Sequence, residues 1–194
     1  MPLKFINMKR LILASNTLPV HLSWDNGNYQ IEKAEETTIS GLQNFYGNFD
    51  PQWVGLTGFE NHEFKTRDIQ KLEKALKDFK CIPVFPRPRD LNLHLHGFSR
   101  NTLWPLFHYF TENVSYSEVA WKAYVKINRL YAEKILEVLE DGDILWVHDY
   151  HLLMLPQMIR EERPDISIGL FIHIPFPSFE LFRLLPWRLE IIDG

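Results

Sequence analysis

A chain of 194 residues, 45% hydrophobic and 24% charged, has the composition of one folded domain with a substantial core, which excludes a disordered segment. Its formal net charge of −4, with both signs mixed along the chain, excludes a general polyanion or nucleic-acid binder but leaves room for one local phosphate pocket. Cys81 is the only cysteine, so neither an intrachain disulfide nor a cysteine-based metal site can form, and a reducing, cytoplasmic setting is expected.

The apolar run Leu11-Ile12-Leu13-Ala14 is too short for a signal peptide's apolar region or a membrane span. It reads instead as a buried first strand, Arg10–Ser15, ended by Asn16-Thr17-Leu18-Pro19. Trp24 to Ile31 reads as a hairpin with its turn at Asn26-Gly27. Ser40-Gly41-Leu42 opens a short helix or loop, and Gln52–Leu56 is a second buried strand. From Thr66 to Phe79, Ile69, Leu72, Leu76 and Phe79 recur at three and four residues, which predicts an amphipathic helix. Cys81–Phe85 follows as a strand and Arg87–Gly97 as a loop. Ser99 then caps a helix through Leu103–Phe107, whose regularity Pro105 limits.

Glu118–Glu140 is the strongest periodic segment. Val119, Ala123, Ile127, Leu130, Lys134 and Val138 lie near one stripe, flanked by Trp121, Tyr124, Tyr131 and Ile135, so a long helix docks on a sheet. Ile144–Val147 reads as a strand, His151–Arg163 as a helix, Ile166–Ile172 as a strand, and Phe179–Leu184 as a short helix. Strands alternating with helices give an α/β domain with a mainly parallel sheet.

In such sheets ligands bind beyond the carboxyl ends of the strands. Three polar groups fall there: Asn16-Thr17, His148-Asp149 and His173. The Asp149 carboxylate suits a vicinal diol, since it accepts two hydrogen bonds, and it equally suits an N-cap for the helix that follows. His151 and His148 read as packing residues. His173 precedes Ile174-Pro175-Phe176-Pro177, a rigid turn that fixes its ring. No H-E-x-x-H spacing, nucleophile elbow, G-x-G-x-x-G or P-loop occurs, so no metal or cofactor is expected.

The stretches Ile144–Pro156 (ILWVHDYHLLMLP), Ile168–Pro177 (IGLFIHIPFP) with Glu180 and Phe182-Arg183, and Gly97–Tyr109 (GFSRNTLWPLFHY) resemble the trehalose-6-phosphate synthase family. The resemblance runs from about Leu11 to the end of the chain. It implies the N-terminal half of a GT-B glycosyltransferase: a Rossmann-like, mainly parallel sheet with helices on both faces. A second, nucleotide-binding domain would lie beyond residues 1–194. The implied reaction transfers glucose from UDP-glucose to glucose 6-phosphate with retention and without a metal. The implied partners are a nucleotide sugar, a sugar phosphate and the second domain, with homo-oligomers compatible and no nucleic acid or membrane involved. Position by position, Asp149 corresponds to the carboxylate on the acceptor's hydroxyls, His173 to the histidine on the donor sugar, and Trp104 to the aromatic beside the acceptor phosphate. Thr17 stands at an acceptor-side position, and Gly41 and Leu42 end the loop on the donor diphosphate. Trp104 also fits a core anchor, and Gly41 a plain turn.

The departures concern phosphate. Thr17 stands where the family has an arginine clamp, Ser40 where the loop has its first glycine, and Leu95 where a tyrosine is expected. Trp53-Val54-Gly55-Leu56-Thr57-Gly58 replaces the family's W-x-G-W-P-G. These losses fit a synthase, a relative that kept the fold without activity, or a transferase with another acceptor.

Overall fold

Leu11, Ile12, Leu13 and Ala14 are all buried, so the first strand carries core on both faces, as the interior of a parallel sheet requires. In the computed structural model, which describes residues 10–25, 28–34 and 49–192, this strand is β1 (Arg10–Thr17). It is followed by a hairpin, β2 (Val20–Asp25) and β3 (Asn28–Lys33), then β4 (Asp50–Leu56), helix α1 (Thr66–Leu76) and β5 (Cys81–Val84). The predicted turn residues Asn26-Gly27 and the loop residues Ser40, Gly41 and Leu42 lie outside the described residues.

A helical segment then runs from α2 (Pro88–Asn92) through a π-helix (Leu93–Leu103) into α3 (Trp104–Phe107). Here the structure corrects two expectations. Arg87–Gly97 is not a loop, because Pro88 at the first turn starts a helix rather than preventing one. Ser99 is not a cap either; it sits inside the π-helix, with its hydroxyl buried and unpaired.

Helix α4 (Glu118–Leu136) starts at Ser117, whose hydroxyl accepts the Ala120 N–H, and stops short of the predicted Glu140. Its buried face is Ala120, Tyr124, Ile127, Tyr131 and Ile135, whereas Val119 is exposed. The core therefore takes Ala123 and Ile127 of the expected stripe together with its flank, Tyr124, Tyr131 and Ile135. Tyrosines bury more area, and their hydroxyls find backbone partners inside. Strand β6 (Ile144–His148), a 3-10 turn (Tyr150–Leu152), α5 (Leu155–Glu162), β7 (Ser167–Phe171), α6 (Phe179–Phe182) and α7 (Arg188–Ile192) complete the chain. The predicted helix His151–Arg163 thus begins four residues late, because the 3-10 turn comes first.

The five parallel strands lie in the order β5-β4-β1-β6-β7. One face, with Ile12, Ala14, Val54, Leu145 and Val147, is covered by α4 and α5 through Ile127, Tyr131 and Ile159. On the other face α1 packs Leu72 and Leu76 against Cys81 and Trp53. The Rossmann-like, mainly parallel sheet with helices on both faces, implied by the sequence, is the architecture observed.

Candidate functional site

The chain leaves β1 in one direction to β4 and β5, then returns to the other side of β1 with β6 and β7. The reversal places a crevice beyond the carboxyl ends of β1 and β6, where open α/β sheets bind ligands. Two polar corners meet there: Asn16-Thr17 after β1, and His148-Asp149 after β6.

Helix α4 pins both corners from beneath. The Tyr131 hydroxyl lies 3.0 Å from the carbonyls of Ser15 and Asn16, to which it donates. The Tyr124 hydroxyl donates to the Tyr150 carbonyl at 2.8 Å and accepts the Leu153 N–H at 2.9 Å. Asn128 Nδ2 donates to the carbonyls of Tyr124 and His151 at 2.9 and 3.1 Å. Burial raises the pKa of both tyrosines, so they remain neutral donors. Gly55 on β4 allows β1 to leave the sheet closely, since a Cβ there would stand 2.9 Å from the Leu18 nitrogen and from the Thr17 carbonyl carbon.

The crevice holds a cavity of about 420 Å³, within the usual range for small-ligand sites. Asn16, Tyr150 and His151 line it from the strand ends, and Leu95, His96, Arg100 and Trp104 from the π-helix and the start of α3, with Glu60 opposite. Several of these groups lack protein partners. Asn16 Oδ1 and His151 Nδ1 are buried without a hydrogen bond, and Arg100 makes no ion pair or hydrogen bond among the described residues. Glu60 and His96 pair at 2.8 Å. Such an arrangement of unpaired acceptors and donors beside an indole suits a polyhydroxylated ligand with a charged end.

The predicted residues are distributed as follows. Trp104 lines the cavity and is 38% exposed, stacked on His108 at 4.1 Å, so it is not a core anchor; Leu103, Pro105, Leu106 and Phe107 fill that role. Asp149 does not line the cavity, although the next two residues do. Its Oδ1 accepts the Tyr150 N–H at 2.9 Å, and its Oδ2 lies 3.8 Å from His151 Nδ1. Asp149 has φ 73° and ψ 167°, a conformation that glycine adopts readily and other residues adopt only under constraint, at about 1–3 kcal/mol. His173 also lies off the cavity wall; its Nε2 is 3.2 Å from Nδ1 of the buried His148. Thr17 is exposed and opens on a narrow side pocket of about 50 Å³. Gly41 and Leu42 lie outside the described residues. Of the wall residues, Asn16 stands at a strand end marked in the sequence, whereas Glu60, His96, Arg100, Tyr150 and His151 were not predicted as site residues. Only the spacing of His96, Arg100 and Trp104 carried a signal, one hidden by reading the first of these as loop.

Among the described residues no three His, Cys, Asp or Glu side chains are grouped to hold a metal ion, and no helix is long and apolar enough to cross a membrane. The model of Glycosyltransferase family 20 matches residues 9–194. The chain belongs to that family. A Dictyostelium discoideum alpha,alpha-trehalose-phosphate synthase (UDP-forming) is 41% identical over 186 residues, covering 95% of this chain and 25% of that protein. The solved UDP-forming synthase of Burkholderia xenovorans superposes with a TM-score of 0.72 at 28% identity, covering 95% of this chain and 37% of its own. The N-terminal domain of a Candida albicans trehalose-6-phosphate phosphatase superposes with a TM-score of 0.73 at 33% identity, covering 95% and 38%. This family-20 chain therefore spans between a quarter and two fifths of the length of these relatives.

Proposed function

We propose that this chain is the N-terminal, acceptor-side domain of a retaining glycosyltransferase that moves glucose from UDP-glucose to glucose 6-phosphate, giving trehalose 6-phosphate. The observation that carries the reading is the cavity at the topological switch point, built by stretches that resemble trehalose-6-phosphate synthases and unoccupied by the chain's own side chains. In this reading Asp149 holds acceptor hydroxyls, and Trp104 packs on the acceptor. His173 reaches the donor sugar, and Gly41-Leu42 approach its diphosphate. Asp149 and His173 sit at the rim rather than in the wall, where closure of a second domain brings substrate to them. Catalysis then rests on positioning and on stabilising the leaving diphosphate, much of which falls to that second domain.

A second reading, a fold-retaining domain without transfer activity, is favoured by Thr17 and Leu95 in place of phosphate-binding residues and by the likeness to the phosphatase's N-terminal domain. One experiment separates the two. The longest native polypeptide is assayed for UDP release from UDP-glucose with glucose 6-phosphate, other sugar phosphates and free sugars. Turnover with glucose 6-phosphate supports the first reading, turnover with a different acceptor alone redefines the substrate, and none with any acceptor selects the second.

A further inference from the structure

We propose that Arg100 recognises the anionic end of the acceptor in this chain, an inference that rests on the acceptor-pocket reading above. The site expected from the sequence had lost its cation at Thr17. The structure shows why Thr17 is not the place to look for a replacement. Its side pocket, about 50 Å³, is walled mainly by Leu56, Phe59, Phe64, Val84 and Leu95 and contains no lysine or arginine. An anion there would be desolvated without compensation.

The large cavity is different. Arg100 is the only lysine or arginine among its lining residues. Other cations of the chain are engaged elsewhere: Lys126 with Asp90, Lys134 with Glu73 and Glu137, and Arg163 with Asp141 and Asp165. Arg100 has no such partner among the described residues, so its fork of donors is available for a bidentate contact. Its charge also reaches the Tyr150 phenol on the opposite wall, where it opposes the rise in pKa that burial and Asp149 impose.

The π-helix sets the geometry. The Trp104 N–H donates to the Ser99 carbonyl, five residues back, so the turns are wider than in an α-helix. His96, Arg100 and Trp104, at intervals of four, consequently reach one cavity. The indole offers a face for the sugar and the guanidinium, one turn earlier, offers charge for its phosphate. The Glu60 carboxylate, also on the cavity wall, is paired with His96 at 2.8 Å.

The test is calorimetric titration of the 194-residue chain with glucose 6-phosphate, glucose and inorganic phosphate. The wild-type chain should bind glucose 6-phosphate at least about tenfold more tightly than glucose. R100Q should weaken glucose 6-phosphate by roughly 10- to 100-fold and inorganic phosphate in parallel, leave glucose unchanged, and leave the melting temperature unchanged because the side chain is exposed. R100K should restore part of the loss. Trp104→Ala, which removes the indole from the cavity wall, should weaken both sugars. If R100Q leaves the ratio of the two sugars unaltered while Trp104→Ala weakens both, the role of Arg100 is overturned and the pocket reading stands. If the wild-type chain binds neither sugar, both fall.

Discussion

His148 Nδ1 lies 3.2 Å from His173 Nε2, with the rings inclined by only 19° and their centroids 5.4 Å apart. One nitrogen must carry the proton and the other accept it, so the contact couples the tautomers of the two rings. His148 is 1% exposed and its Nε2 has no partner, so this is its single polar contact. The packing role expected of His148 is therefore incomplete; it also orients the ring beyond it. His148→Phe retains the ring and removes the bond. It should change unfolding free energy by no more than about 1 kcal/mol, yet alter the imidazole nitrogen resonances of His173. Unchanged His173 resonances would show that the pair is not coupled.

Acid sensitivity follows from two buried imidazoles. His94 stacks on Tyr124 with both ring nitrogens unpaired; burial, reinforced by His151, pushes its pKa down to about 3. Burial, reinforced by His173, pushes His148 down to about 4. In the unfolded chain both titrate near about 6.5, so on acidification the unfolded state takes up protons first. Stability is complete above that value and declines as pH falls toward about 4, by roughly 1.4 kcal/mol per unit for each ring. Urea unfolding should show a loss of roughly 2.5 kcal/mol from these two rings between about pH 7 and about pH 5.5, to which His151, also held down by burial, adds, and His94→Phe should remove about 1.2 kcal/mol of it. A slope unchanged by that substitution would place the titrating groups elsewhere.

In the proposed function Asp149 holds acceptor hydroxyls, so its variants separate binding from folding. Asp149→Asn keeps the acceptor oxygen for the Tyr150 N–H and tolerates positive φ, so the melting temperature should hardly move while acceptor-dependent turnover of the complete enzyme falls severely. Asp149→Gly removes the backbone strain as well as the side chain. With about 1–3 kcal/mol of strain relieved against roughly 1 kcal/mol for the lost hydrogen bond, Gly should match or exceed the wild type in stability and be inactive. Severe unfolding of the Gly variant would instead mark the carboxylate as structural.

Gly55→Ala tests the corner after β1. The new methyl meets backbone atoms, which cannot rotate away, so the substitution should cost about 1–3 kcal/mol. Because the displaced atoms belong to Thr17 and Leu18, beside Asn16, sugar binding should weaken beyond what the loss of folded protein explains. Calorimetric titration well below the melting temperature distinguishes the two effects.

Much of this was legible in the chain because it depends on local pattern. The parallel strands announce themselves as short apolar runs, and α4 as a long periodic one. Of the strand-end polar groups, Asn16 lines the cavity, while Asp149 and His173 lie off its wall. What sequence periodicity could not give was that the aromatic flank of α4 lies fully inside, since Tyr124 and Tyr131 count as apolar only if their hydroxyls reach backbone carbonyls across the fold. It also could not give the helix over Pro88–Phe107. Its i→i+5 spacing matches neither a helical nor a strand template, and Gly97 looks like a breaker until Ala120 is seen against it, with no room for a Cβ. Arg100 was hidden for a related reason: one residue after an expected cap at Ser99, it stood at the start of an ordinary helix whose first turn had no face to assign.

The π-helix makes this wall of the pocket depend on the number of residues as well as on their identity. Each residue in an ordinary helix adds a rotation of about 100° and an advance of about 1.5 Å. Were Leu93–Leu103 to wind as an ordinary i→i+4 helix with its number of residues unchanged, everything downstream would turn by about that angle for each residue the wider turns take up, carrying Arg100 and Trp104 off the cavity. Deleting one residue between Leu93 and Ser99 would instead let the i→i+4 ladder close with the downstream side chains nearly in place. Relatives one residue shorter here should therefore present the same surface from an ordinary helix.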